Sequence, residues 1–193
     1  MKKDKTTIYL IRHGECAGNK EKRIRGCVDF PLNANGVEQA QALASAMKDK
    51  KIEYIYTSPL SRATTTAQIL SEALGVRWEA LEGLTNIHLG PWENRLKAEL
   101  AETEPENWQT WLDRPEELSI PGGETLDQVG ERALTALQEI IEMHRGETLA
   151  LIAHRGVLKP LLAAALGVMR PSYWRLHVDT ASYSILTFDS LHG

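Results

Sequence analysis

The chain has 193 residues, of which 42% are hydrophobic and 25% are charged, a composition typical of a globular domain and not of a disordered chain. Its 22 Lys and Arg against 26 Asp and Glu give a net charge of −4, which disfavours nonspecific nucleic-acid binding. No apolar run reaches the roughly 18 residues of a membrane helix, and two cysteines are too few for a disulfide framework. We therefore predict one cytoplasmic domain over residues 1–193, with no nucleic-acid or membrane partner; the oligomeric state does not follow from the sequence.

Strands and helices alternate along the first half of the chain. Residues 7–11 (TIYLI) are short, β-branched and continuously apolar, as expected for a strand that is buried on both faces of a parallel sheet. The predicted elements of this half are a strand at 7–11, a loop at 33–36, a helix from Val37 to Met47, a strand at 52–57 and a helix at about 62–74. Gly75 is expected to cap the helix at 62–74.

The second half begins with an irregular segment, residues 82–123, which is rich in Trp, Pro and acidic residues and predicts inserted short helices and loops. Thr125 and Gln128 are spaced as a capping box, and an apolar stripe from Leu126 to Ile141 predicts a helix. The remaining predicted elements are a strand at 148–153, a helix after Gly156 that ends near Gly167, and strands at about 174–178 and 183–188. The pattern predicts a three-layer α/β fold with a mostly parallel central sheet flanked by helices.

Three of these strands are followed at once by polar segments, residues 12–15 (RHGE), 58–62 (SPLSR) and 154–156 (HRG). The carboxyl ends of parallel strands meet at one edge of a sheet, and ligands bind there. Arginine is suited to phosphate oxygens, and histidine can act as a neutral nucleophile or proton carrier near pH 7. Four more Lys and Arg lie at residues 16–25. The convergence predicts an anion-binding cavity that contains His13, His154, Arg12 and Arg62.

Each of these residues by itself has an ordinary structural interpretation. His13 is then a loop residue, Arg62 a solvated helix residue and His154 a hydrogen-bonded core residue; their joint placement at strand ends favours function. Other chemistries fit less well, because the chain has no P-loop ending, no G-x-G-x-x-G and no G-x-S-x-G. No carboxylate accompanies the two histidines at metal-site spacing, and neighbouring arginines would repel a cation. We predict no metal and no cofactor.

The residues at 10–15 (LIRHGE) resemble the signature of the histidine phosphatase superfamily, which has the phosphoglycerate-mutase-like fold. Four further motifs match that family in order: G-x-x-D-x-P-L-x-x-x-G from Gly26 to Gly36, TSPLSRA at 57–63, PGGE at 121–124 and AHRGV at 153–157. RHG alone would be a weak signal, whereas five motifs in order across nearly the whole chain are specific.

The resemblance implies a mechanism. His13 would take the phosphoryl group as a phosphohistidine, Arg12, Arg62 and His154 would hold its oxygens, and water would then hydrolyse the intermediate. Asn19 would donate a hydrogen bond to the phosphoryl group. The residues expected to contact the substrate are Asn19, Arg25, Glu15, Asn86, Arg155 and Gly156.

One position departs from the family pattern. The family's proton donor is the Glu of L-x-E-x-x-x-G, but residues 84–90 read LTNIHLG, so Asn86 takes its place and has no acidic proton to donate. Glu82, Glu93, His88 and Glu15 are candidate substitutes. A weakly active protein that binds a phosphate ligand is therefore an alternative to an enzyme.

The substrate prediction rests on looser matches. Mutases of this family are usually longer, so the chain resembles a phosphatase more than a mutase, although phosphoglycerate-mutase-type transfer remains an alternative. Residues 90–95 (GPWENR), 105–111 (PENWQTW) and 173–179 (YWRLHVD) look similar to α-ribazole phosphatases of cobalamin synthesis. We predict a phosphomonoesterase that acts on a small-molecule phosphate ester such as α-ribazole phosphate.

Overall fold

A computed structural model describes residues 5–168 and 171–189. Its centre is a five-stranded sheet in the order β3-β2-β4-β1-β5, in which β1 to β4 are parallel and β5 pairs antiparallel with β1. The strands are β1 (Lys5–Arg12), β2 (Tyr54–Thr57), β3 (Trp78–Ala80), β4 (Thr148–Ala153) and β5 (Tyr183–Asp189). The mostly parallel sheet predicted from the sequence is confirmed.

Helices cover both faces of this sheet, which explains why the central strands are continuously apolar. Ile8 and Leu10 of β1 pack in the core that also contains α6 and α7, whereas Tyr9 and Ile11 face α2 and α3. The helices are α1 (Ala17–Lys20), α2 (Ala34–Met47), α3 (Ser61–Leu74), α4 (Lys97–Thr103), α5 (Pro105–Asp113), α6 (Leu126–Met143) and α7 (Arg155–Ala165). The three-layer α/β prediction is confirmed.

The structure differs from the predicted strands in two places. Residues 174–178 do not form a strand: Tyr173–Arg175 is a 3₁₀ turn, and the edge of β1 is already paired with β5 through Ile11 and Tyr183. Conversely, β3 was missed because its three residues are all exposed and therefore carry no apolar alternation.

Several helix ends follow from local sequence chemistry. The capping box of Thr125 and Gln128 and the left-handed Gly75 cap are both present, as predicted. The predicted loop at 33–36 is instead the start of α2, because the Asn33 side chain accepts a hydrogen bond from the Gly36 amide at 2.8 Å. A Cβ atom at Gly36 would lie 1.9 Å from the Glu15 carbonyl oxygen, so glycine allows the loop after β1 to pack directly against this helix.

The segment 82–123 forms short helices and turns, as predicted, including 3₁₀ turns at Glu82–Leu84, Gly90–Trp92 and Pro115–Glu117. Trp92 is buried and donates from Nε1 to Glu104 at 2.7 Å, and Arg95 donates to the same carboxylate at 2.6 Å. Trp111 packs against Tyr173 with ring centroids 5.7 Å apart, which ties the segment to the chain that follows α7. Among the described residues no helix is long and apolar enough to cross a membrane.

Candidate active site

The order of the strands brings the three polar segments together, because β4 lies between β1 and β2. The His13 amide donates to the Ala153 carbonyl at 3.1 Å, and the Ser58 amide donates to the Ile152 carbonyl at 2.9 Å. The rings of His13 and His154 have centroids 5.0 Å apart. The strand ends therefore converge as the sequence predicts.

His13 is held as a neutral imidazole with one free ring nitrogen. Its Nδ1 lies 2.6 Å from the Gly14 carbonyl oxygen, and since a carbonyl only accepts, Nδ1 carries the proton and Nε2 keeps its lone pair. Burial, and then the charges of Arg62 and Arg12, lower the pKa of His13 well below its usual 6.5. The ring is therefore neutral near pH 7, with its single proton on Nδ1.

His154 has the opposite tautomer. Its Nδ1 accepts from Arg62 Nε at 3.3 Å, so Nε2 carries the proton and donates to Ser58 Oγ at 2.7 Å. Burial and the Arg62 charge lower its pKa well below 6.5. Both ring nitrogens are thus bonded within the protein, and the ring connects Arg62 with Ser58 beside His13.

Arg62 is fully buried and fixed on three sides. Besides its bond to His154, it donates from Nη1 to the Val28 carbonyl and from Nη2 to the Gly26 carbonyl, both at 2.9 Å. Asp29 is the nearby carboxylate, with Oδ1 3.8 Å from Nη1. Burial lowers the pKa of Arg62 to about 10, so the guanidinium remains charged at neutral pH.

Near the two histidines, two buried hydrogen-bond donors and one buried acceptor lack partners. Within residues 5–168 and 171–189, the buried side-chain atoms that lack a hydrogen-bond partner are Arg12 Nε, Arg25 Nε and Asn86 Oδ1. Arg12 donates from Nη1 to the Val178 carbonyl at 2.8 Å, and burial lowers its pKa to about 10. Unpaired buried polar atoms are costly and rare. Two guanidinium donors left open beside neutral histidines are suited to an anion.

The cavity beside the histidines is lined by both predicted and unpredicted residues. Of the predicted substrate-contacting residues, Arg25, Asn86, Arg155 and Gly156 line it. Lys97, Tyr173 and Trp111 also line it and were not predicted, because no local pattern distinguishes them before the segment 82–123 is folded onto the sheet.

Four predicted site residues are not among the cavity-lining residues. Arg12 and Arg62 are buried beside the histidines, where their charges lower the pKa of His13, and the other two are bonded elsewhere. Glu15 accepts from Asn33 Nδ2 at 2.6 Å. Asn19 Oδ1 accepts from the amide of Cys16 at 3.2 Å and from its Sγ at 3.0 Å. A larger hollow beside Gly130 and Pro160 contains neither histidine. In the described part of the chain, no group of three or more His, Cys, Asp or Glu side chains is placed to hold a metal ion.

The family model for the histidine phosphatase superfamily (branch 1) matches residues 8–192 of this chain. The chain belongs to the histidine phosphatase superfamily. Phosphoserine phosphatase 1 of Hydrogenobacter thermophilus is 31% identical over 93% of this chain and 85% of its own length. Phosphoglycerate mutase-like protein 4 of Arabidopsis thaliana is 37% identical over 88% of this chain and 73% of its own length.

Among solved structures, the α-ribazole phosphatase from Shigella flexneri superposes with a TM-score of 0.83 at 27% identity. The match covers 93% of this histidine phosphatase and 89% of the other chain. Phosphatases and mutase-like proteins are thus both similar to this chain, and the family resemblance expected from its motifs is confirmed.

Proposed function

We propose that this histidine phosphatase is a metal-independent, single-domain cytoplasmic phosphomonoesterase that hydrolyses a small phosphate ester through a phosphohistidine at His13. The observation that carries the proposal is the pair of unpartnered buried donors, Arg12 Nε and Arg25 Nε, beside a neutral imidazole. A dianionic phosphoryl group would satisfy both donors and present phosphorus to the His13 lone pair. Phosphoryl transfer depends mainly on such positioning and charge stabilisation.

In the first step the lone pair of His13 Nε2 forms the N–P bond while the bond from phosphorus to the leaving oxygen breaks. The bonding electron pair goes to that oxygen, and the proton stays on Nδ1, which donates it to the Gly14 carbonyl oxygen 2.6 Å away. Keeping that proton stabilises the positive imidazole ring of the phosphohistidine. Arg12, Arg62 and Arg25 offset the charge of the phosphoryl oxygens.

In the second step water attacks phosphorus, the N–P bond breaks, and its electron pair returns to Nε2. Both protons of the water leave with the phosphate as the monoanion, so the neutral ring is restored. The unpartnered Asn86 Oδ1 is a hydrogen-bond acceptor and is suited to hold this water.

For the substrate, the likeness to the Shigella flexneri enzyme favours α-ribazole phosphate, and the likeness to the Hydrogenobacter thermophilus enzyme favours phosphoserine. The mutase-like relative keeps phosphoryl transfer on a three-carbon acid as the second candidate. A hydrolysis screen over phosphate metabolites ranks the phosphatase substrates. Exchange that is stimulated by a bisphosphate would support the mutase.

The proposal is tested by rapid quench into alkaline detergent with ³²P-labelled p-nitrophenyl phosphate, followed by acid treatment of one half of each sample. We expect an acid-labile, base-stable phosphoenzyme in the wild type and none in His13→Ala, whose turnover should fall by at least about 10⁴-fold. Label that persists in His13→Ala would refute the assignment. The absence of p-nitrophenyl phosphate turnover in chelator would favour a phosphate-binding protein instead.

A further inference from the structure

We infer that, among the phosphate compounds that this phosphatase can hydrolyse, it favours those whose leaving group departs as a stable anion without taking a proton, namely acyl phosphates and phosphoanhydrides, so that alkyl esters such as phosphoserine and α-ribazole phosphate are turned over slowly. The inference rests on the proposed function, since it concerns the oxygen that His13 displaces from phosphorus. Beyond the histidines, the cavity is lined by cations, by the amide of Asn86 and by apolar and aromatic side chains, and none of the described residues that line it is Asp or Glu.

Asn86 lines the cavity with its hydrogen-bond acceptor unpaired. Its Nδ2 donates to the Gly26 carbonyl at 2.8 Å, and this bond fixes the orientation of the amide. Its Oδ1 is buried without a partner and lies 3.1 Å from the position of a Cβ atom at Gly156. An oxygen acceptor gives a departing oxygen neither a proton nor an N–H bond, so this position does not assist an alkoxide.

The acids that the sequence suggested as substitutes are occupied outside the cavity lining. Glu93 Oε1 accepts from the amides of Cys27 and Leu89 at 2.8 and 3.0 Å. Glu82 accepts from Thr85 Oγ1 at 3.1 Å. His88 is an exposed residue. The remaining candidate, the carboxylate of residue 15, is held by the amide of residue 33.

The ring protons at the site are also committed. The Nδ1 proton of His13 bonds the Gly14 carbonyl, and the Nε2 proton of His154 bonds Ser58. Burial raises the pKa of Tyr173, which makes its hydroxyl a weaker acid. An alkoxide formed here would therefore depart without a proton, whereas a carboxylate or a phosphate anion needs none.

Positive charge in the cavity is suited to such an anion. Lys97, Arg155 and Arg25 all line the cavity, and burial together with the charges of Arg155 and Arg25 lowers the pKa of Lys97. Burial is the larger cause of this shift, and repulsion by Arg155 and Arg25, which no cavity-lining carboxylate of the described residues offsets, adds to it. A departing carboxylate or phosphate anion would relieve this repulsion, and a neutral alcohol would not.

The wild-type enzyme itself provides the first test, through a comparison of acetyl phosphate with ethyl phosphate, which match in carbon number. A positioned general acid contributes about 10²–10⁴-fold, mainly for poor leaving groups. We therefore expect kcat/KM for acetyl phosphate to exceed that for ethyl phosphate by at least about 100-fold. Pyrophosphate, the phosphoanhydride probe, should group with acetyl phosphate. A ratio below about 5-fold would overturn the inference, because ethyl phosphate can react nearly as fast as acetyl phosphate only if a proton donor assists its leaving group.

Variants of Asn86 provide the second test. Asn86→Glu restores an acid and should raise turnover of ethyl phosphate by about 100-fold or more, while acetyl phosphate changes by only a few-fold. Asn86→Gln is the matched control, because it has the length of Glu without the acid, and it should leave ethyl phosphate slow. Equal gains in both variants would contradict the inference. If the Glu variant does not fold, the wild-type ratio still decides.

Lys97→Met separates the two roles that this cation can have. If Lys97 stabilises the departing anion, the substitution should lower kcat/KM for pyrophosphate and acetyl phosphate by about 10-fold or more. Rapid ethyl phosphate turnover that disappears in Lys97→Met would make Lys97 the acid and overturn the inference. In that outcome the trapped phosphohistidine would remain and the proposed phosphatase function would stand; absence of the phosphoenzyme would instead refute that function.

Discussion

The two sides of the cavity are built by different means. The side proposed to hold the phosphoryl group, called here the phosphoryl side, is lined by His13 and His154, and Arg62 is bonded to His154 behind it. These three residues are almost completely buried and follow three adjacent strands. The leaving-group side is formed by loops and by the segment 82–123, with Asn86 buried and Lys97 only partly buried. The register of the sheet thus fixes the residues that face the phosphoryl group, which every phosphate ester shares. The irregular segment supplies the contacts that can distinguish one leaving group from another.

One backbone atom joins the two sides. The Gly26 carbonyl oxygen accepts from Arg62 Nη2 at 2.9 Å and from Asn86 Nδ2 at 2.8 Å. Both side chains are therefore oriented by the same peptide group. Changes on the phosphoryl side should affect all substrates alike, whereas changes on the other side should alter substrate preference.

The largest effect is expected from Arg62→Met. Loss of the charge-assisted contact should lower kcat/KM by about 10–150-fold on every substrate, because the phosphoryl group is common to all of them. Steady-state kinetics on p-nitrophenyl phosphate and acetyl phosphate measure this, with Arg145→Met, an exposed arginine paired with Glu142, as control. A loss confined to one substrate would contradict the division between the two sides.

The same Arg62→Met variant should also change the pH profile. After burial, Arg62 is the largest cause that lowers the pKa of His13, so removing the charge should raise that pKa. In the proposed mechanism only the neutral ring attacks phosphorus, so activity should be lost as the pH falls through the pKa of His13. The acid limb of kcat/KM, which reports the free enzyme, should therefore move to higher pH than in the wild type. An unmoved acid limb would mean that another group titrates.

Gly26→Ala should break the connection between the two sides. Gly26 has φ +50°, and an added Cβ would lie 2.0 Å from Glu93 Oε1. We expect the free energy of unfolding to fall by about 1–3 kcal/mol in urea titration. Gly75→Ala is the matched control, with φ +69° and no atom within 4 Å of the added Cβ. A loss in Gly26→Ala no larger than in the control would show that backbone conformation alone matters there.

Lys159→Met tests the wall behind the leaving-group side. Lys159 Nζ lies 4.4 Å from the ring centroid of Tyr173 and 4.8 Å from that of Trp174, and burial lowers its pKa from 10.5 to about 8.

Between these two pH values the unfolded chain binds more protons at Lys159 than the folded chain does, so this residue makes wild-type stability rise with pH. The stability of the wild type relative to Lys159→Met should increase by about 1–3 kcal/mol from pH 8 to 10.5. Urea titrations of both proteins across this range give the difference. A constant difference would show that the pKa is not lowered.

The smallest effect is expected from Ser58→Ala. The change removes the acceptor of the His154 Nε2 proton at 2.7 Å, although Arg62 still donates to the other ring nitrogen. One such hydrogen bond contributes about 0.5–1.5 kcal/mol, so kcat/KM should fall about 2–12-fold on all substrates. Ser61→Ala, at the start of α3, is the control. A change in the ratio of acetyl to ethyl phosphate would place Ser58 on the leaving-group side instead.

The phosphoryl side could be predicted from the sequence because its information is local. A continuously apolar run such as residues 7–11 indicates a strand in a parallel sheet, and the polar residues after each strand must meet at one edge. His13, Arg62 and His154 were found in this way. The same locality explains the two errors: β3 is too short and exposed to leave a pattern, and residues 174–178 (WRLHV) alternate apolar and polar residues as a strand does but begin in a 3₁₀ turn.

Only the tertiary structure decided the leaving-group side. Nothing near Lys97 in the sequence indicates that it lines the cavity with Arg25 and Arg155, since these residues meet only when separate loops pack together. The sequence predicted Asn86 as a departure from the family, but the bond to the Gly26 carbonyl that turns its oxygen acceptor inward comes from a residue 60 positions away. Strand burial is determined by neighbouring residues, whereas hydrogen-bond partners, desolvation and charge repulsion depend on segments that are distant along the chain.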